Sequence, residues 1–119
     1  MNDILIKLME GNLRNVWSER NAVHRIKAIE DIYAKDSVLY HVNDKTEGYD
    51  AINESVSSTL STLPENFVFI KLKPVIINNS VGRLVWGVGP KDNPPVATGM
   101  DIAIFENNKI KSLYVFLDM

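Results

Sequence analysis

VATGMDIAIFENNKIKSLYVFLDM, residues 96–119, holds two apolar runs joined by Glu106, Asn107, Asn108 and Lys109. Asparagine tolerates the left-handed backbone that a two-residue hairpin demands, so the segment reads as two antiparallel strands. One carboxylate, Asp101, breaks the first run between Met100 and Ile102, away from the turn residues at either end. A buried carboxylate must accept hydrogen bonds or sit in a pocket that tolerates it; otherwise it must face water. In the second run Ile110, Tyr114 and Phe116 alternate against Leu113, Val115 and Leu117, which makes both faces apolar.

The same character extends back to Pro64. NFVFIKLKPVII (66–77), the turn NNS, VGRLVWGVG (81–89) and the loop PKDNPP lead into the quoted stretch, giving four strands in an antiparallel meander. Pro74 lacks an N–H for a sheet ladder and marks an edge or a bulge.

Before Pro64 the period changes. Ile4, Leu5, Leu8, Met9, Leu13, Val16 and Trp17 recur at steps of three and four, as do Val23, Ile26, Ile29, Ile32 and Tyr33. Each set is one apolar stripe on a helix. The second helix is expected to end near Lys35, followed by the short strand VLYHV (38–42) and a polar connector NDKTEGYD (43–50), with Gly48 at its bend. Ile52, Val56, Leu60 and Leu63 form a third helical stripe, stopped by Pro64.

The order α-α-β-α-β-β-β-β makes the chain α+β, one domain over residues 1–119, with a curved antiparallel sheet wrapping three helices. A sheet apolar on both sides needs two covers, and the helices supply one. The other is expected to be a second copy of the chain, a homodimer packed through the sheet. A formal net charge of −2 with scattered basic residues argues against nucleic acid or an anionic membrane as partner. There is no cysteine, hence no disulfide or thiolate chemistry. No apolar run approaches a membrane span, and the charged opening helix is unlike a signal peptide, so a cytoplasmic protein is expected.

IEDIYAKDSVLYHV (29–42), EGYDAI (47–52), GRLVWGVGP (82–90) and TGMDIAIFENNKIKSLYVFLD (98–118), in that order, resemble the SnoaL-like (polyketide-cyclase-like) branch of the nuclear-transport-factor-2-like superfamily. The resemblance covers roughly residues 5–118. It implies a cone-shaped fold with a pocket between the concave sheet and the helices. It also implies chemistry without metal or organic cofactor, in which a pocket carboxylate acts as acid or base. Asp101 matches the strand position at which relatives often carry that acid; a steroid-isomerase pair of second acid and tyrosine is left unassigned.

Asp101 and His41 are therefore the candidate catalytic residues. A carboxyl group in an apolar pocket gains a raised pKa, and an imidazole titrates near neutrality. Trp17, Tyr33, Tyr40, Trp86, Tyr114 and Phe116 are candidates to line the pocket or to pack the core, with Tyr33 and Tyr40 expected at the pocket mouth. Arg83 is open to three roles: binding a ligand carboxylate, pairing with Asp101, or crossing a dimer interface. His24, Lys71 and Lys73 read as surface residues. No metal-ligating spacing, phosphate loop or nucleophile elbow is present. The expected ligand is a hydrophobic small molecule. The expected activity is isomerisation, cyclisation or dehydration, against the alternatives of a non-catalytic ligand-binding protein or a protein-interaction module.

Overall fold

A computed structural model describes residues 3–118, so Met119, read above as the end of the last strand, lies outside the described residues. Helix α1 (Asp3–Gly11) runs into a π-helical segment (Asn12–Trp17). The first apolar stripe thus continues to Trp17, but on a wider helix that turns both Asn12 and Trp17 inward. Ser18 ends this segment and ties it to the sheet, accepting a hydrogen bond from the Phe69 amide at 3.1 Å.

Helix α2 (Ala22–Ile32) starts where Asn21 Oδ1 accepts hydrogen bonds from the amides of Val23 and His24, satisfying donors that no helical carbonyl can reach. It ends sooner than its stripe implies. Tyr33 already has extended backbone and opens strand β1 (Tyr33–His41). Lys109 Nζ, arriving from the far end of the chain, donates to the terminal carbonyl of Asp31 and so closes the helix. The connector expected after β1 contains a strand, β2 (Asp44–Glu47), that pairs antiparallel with β1. Gly48, at φ 89°, then turns the chain into α3 (Tyr49–Ser61).

The segment 66–77 is one edge in two pieces, β3 (Phe67–Lys71) and β4 (Ile76–Asn78), with Pro74 in the gap. Both pair with β5 (Val81–Pro90), which is followed by β6 (Ala97–Glu106) and β7 (Lys109–Asp118). Asn107 and Asn108, at φ 53° and 59°, make the tight turn between β6 and β7. The sheet has seven strands in the order β2-β1-β7-β6-β5-β3, with β4 beside β5. It is mixed rather than purely antiparallel, because β1 and β7 run parallel.

The helices cover one face of this sheet. Their apolar stripes (Met9, Val16, Ile29, Ile52 and Val56 among them) meet Leu39, Leu84, Ala103, Ile110 and Leu113 in a single buried cluster. Arg25, wholly buried, locks α2 onto α3. Its Nε donates to Asn53 Oδ1 at 2.5 Å, and its other nitrogens donate to the Glu19 carbonyl, the Asn53 carbonyl and the Ser57 hydroxyl.

One irregularity decides which residues meet the helices. Ile104 pairs with Ser112 but Phe105 pairs with Ile110, so Lys111 is an extra residue in β7. Ile110 and Leu113 are both fully buried as a result. The uninterrupted alternation read from the sequence, which grouped Ile110 with Tyr114 and Phe116, fails at this bulge.

Candidate functional site

Cross-strand partners share a face of a sheet, so the register identifies what surrounds Asp101. Asp101 lies opposite Leu84 on β5 and Val115 on β7. Trp86 lies two pairs further along, next on the same face, opposite Gly99. A Cβ at Gly99 would come within 2.3 Å of the Trp86 ring and 2.6 Å of the Phe116 carbonyl oxygen, so only glycine lets the indole lie flat across β6. In that position Trp86 Nε1 donates to Asp101 Oδ1 at 2.9 Å. Oδ2 has no hydrogen-bond partner among the described residues.

Asp101 is 4% exposed and belongs to the lining of a cavity of about 1070 Å³ between α3 and the inner sheet face. Burial raises its pKa from 3.8 to about 7, against the opposing pull of the Trp86 N–H. The aromatic wall is continuous. Trp86 meets Phe69 edge-to-face at 5.2 Å, Phe69 meets Trp17 edge-to-face at 6.1 Å, and Trp17 lies 5.9 Å from His41. Leu13, Val88 and Val115 extend the apolar lining, and α3 adds Ser55, Thr59 and other hydroxyls.

His41 shares this cavity with Asp101, Trp17 and Trp86, but no hydrogen bond or ion pair joins it to Asp101 among the described residues. Its half-buried position lowers its pKa, with the Asp44 charge opposing, so the ring is neutral at physiological pH.

Tyr33 is not at a mouth. It is wholly buried behind the cavity wall, its hydroxyl donating to Asn12 Oδ1 at 2.5 Å. Burial, and then the Asp101 charge, push its pKa up and keep it a phenol. Asn12 is itself 1% exposed, so the π-helical segment supplies a buried acceptor to a tyrosine whose hydroxyl senses the carboxyl group. Sequence reading missed Asn12; a polar residue inside an apolar stripe was the available signal. Trp17 Nε1, also buried, has no hydrogen-bond partner among the described residues.

Tyr40, Tyr114 and Phe116 do not join this group. Tyr40 pairs with Tyr114, and Tyr114 with Ile102, all on the sheet face opposite to Leu39, Leu113 and Asp101. The bulge at Lys111 moved them there. The two tyrosine rings stack at 4.4 Å, and with Phe116 they border a separate, open depression near Asn43 and Lys45. Arg83 lies on that same outer face opposite Ile102, one residue out of phase with Asp101, and the two do not pair. His24, Lys71 and Lys73 are exposed, and Lys71 forms an ion pair with Glu10 at 2.5 Å. Among the described residues no three His, Asp or Glu side chains converge as metal ligands, and no helix is long and apolar enough to cross a membrane.

No family model and no curated protein matches the chain. Solved structures do. A proposed isomerase of the SnoaL-like family from Agrobacterium tumefaciens strain C58 superposes over 100% of both chains with a TM-score of 0.88 at 19% identity. A proposed SnoaL-like polyketide cyclase from Jannaschia sp. CCS1 matches 98% of this chain and 86% of its own, with a TM-score of 0.80 at 7% identity. A de novo designed protein with a curved β-sheet reaches 0.73 at 17% identity, over 99% of this chain and 88% of its own. The chain has the nuclear-transport-factor-2-like α+β cone fold, in the form found in SnoaL-like proteins. A fold by itself does not choose an activity.

Proposed function

We propose that this protein binds a largely apolar small molecule between its helices and sheet and moves a proton on it without a cofactor, as an isomerase, cyclase or dehydratase. The observation that carries this reading is a carboxyl group in an aromatic-walled hollow, with one N–H partner and one free oxygen. A group with a pKa of about 7 takes and returns protons with little cost at neutral pH, which is what general acid–base catalysis asks of it. Trp86 fixes the carboxyl group, leaving Oδ2 to meet the reacting atom. His41, neutral and on the same wall, serves as a second acceptor for a ligand hydroxyl. The isomerase and cyclase descriptions of its structural neighbours agree with this chemistry.

The test is hydrogen exchange in heavy water. A panel of apolar ketones is incubated with the protein, and loss of the proton beside the carbonyl is followed by NMR. The native protein accelerates exchange of at least one ketone, and Asp101→Asn slows it by roughly 10²-fold or more while the ketone still binds. Binding without exchange in the native protein assigns the hollow to ligand storage or sensing instead.

We also infer that a second copy covers the outer sheet face. Phe116, Val81 and Ile104 are 53%, 40% and 37% exposed there, beside the stacked Tyr40 and Tyr114.

A further inference from the structure

The charged residues that line the cavity are of one sign. Asp44, Glu54, Asp101 and Asp118 all contribute to it, and neither lysine nor arginine does. His41, the one residue there able to become a cation, is kept neutral by burial. The acids are not equivalent. Asp44, Glu54 and Asp118 are exposed, while Asp101 is buried with Oδ2 unpaired. The same cavity is walled by Trp17, Phe69 and Trp86, successive rings meeting edge-to-face at 65° and 71°. Near-perpendicular rings enclose a corner, and the π-face of an indole attracts cations most strongly of the aromatic side chains.

We propose that the ligand carries a basic nitrogen: an apolar, aromatic-sized molecule whose protonated amine or iminium sits in the Trp17–Phe69–Trp86 corner and pairs with the free oxygen of Asp101. Outer carboxylates draw a cation toward the entrance and repel carboxylates and phosphates. Trp86 N–H holds the inner carboxylate in place, and the cation replaces the water that the hollow denies it. With a cation bound, Asp101 stays ionised and acts as a base, abstracting the proton on the carbon next to C=N⁺ and returning it elsewhere on the same skeleton. That exchange needs no oxidant, reductant or second substrate. The inference rests on the hollow being a small-molecule site and does not require turnover.

Three isosteric probes test it by calorimetry at neutral pH: naphthylmethylamine, naphthylmethanol and naphthoate. The amine is expected to bind ~10-fold or more tightly than the alcohol, and the carboxylate more weakly than either. Asp101→Asn should bring the amine to within about 2-fold of the alcohol. The exposed pair Glu54→Gln with Asp118→Asn, which cannot disturb the core, should weaken the amine roughly 2-fold to 3-fold at low salt and lose this effect at high salt. An alcohol or carboxylate that binds as tightly as the amine overturns the cation proposal and leaves the small-molecule reading standing. Absence of binding by all three overturns both.

Discussion

At Asp101 burial and hydrogen bonding pull in opposite directions, and burial dominates. The folded protein therefore holds a proton, between about pH 4 and pH 7, that the unfolded chain releases. Since stability falls with pH wherever the native state binds more protons, Asp101 costs nothing below about pH 4 and up to ~4 kcal/mol above pH 7. An asparagine at this position has no such dependence. The melting temperature of Asp101→Asn relative to the native protein should rise steadily from pH 4 to pH 8; a difference that stays flat over that range would show the carboxyl group to be solvated. The position of this acid was legible in the sequence, because it interrupts a strand far from any turn. That Trp86 stands on the neighbouring strand and could meet it was legible too, but the glycine that makes room for the indole was not. Trp86 and Gly99 are 13 positions apart by their numbering, and only the β5–β6 register brings them together. A single-residue slip would have put the indole on the other face.

Elements with strong apolar periodicity were readable; those held by polar contacts were not. The three helical stripes and the Asn107–Asn108 hairpin follow from spacing alone. Strand β2, DKTE, has no apolar residue and exists through its backbone ladder to β1, so its sequence resembles a loop. The bulge at Lys111 likewise leaves no mark in an apolar run, and it reversed the assignment of Tyr114 and Phe116. Arg25 is the same lesson in a helix. Among Val23, His24 and Ile26 it looks like a surface charge, yet it is the largest wholly buried side chain and bridges α2 to α3. Arg25→Ala should lower unfolding free energy by roughly 2–4 kcal/mol, since it strands the acceptors on Glu19, Asn53 and Ser57. Arg25→Lys should recover less than half of that, because an ammonium cannot reproduce the planar fork of donors. Urea denaturation of both variants gives the comparison; full rescue by lysine would show that only the charge counts.

Across the whole molecule the sheet separates two surfaces: helices and the aromatic hollow on one side, exposed apolar side chains on the other. A self-association surface predicts a specific asymmetry in mutational response. Phe116→Glu, on the outer face, should convert a dimer to a monomer in native mass spectrometry while lowering the melting temperature of the subunit only slightly, since the ring is 53% exposed in one copy. Persistence of the dimer in that variant would place any association elsewhere. A monomeric native protein would leave the outer face without the second copy.

The parallel pairing of β1 with β7 has a consequence for the order in which the molecule is made. β7 lies in the sheet between β1 and β6, although it is the last strand in the chain and β1 the first. During translation the β1–β2 hairpin emerges from the ribosome early but has no neighbour on its inner edge until residues 109–118 follow. The closing contacts span some 75 residues, a separation that slows folding. Until then the edge of β1, with Leu39 beside it, is open to a neighbouring nascent chain. A ribosome stalled before β7 would therefore display a ready template for misassembly.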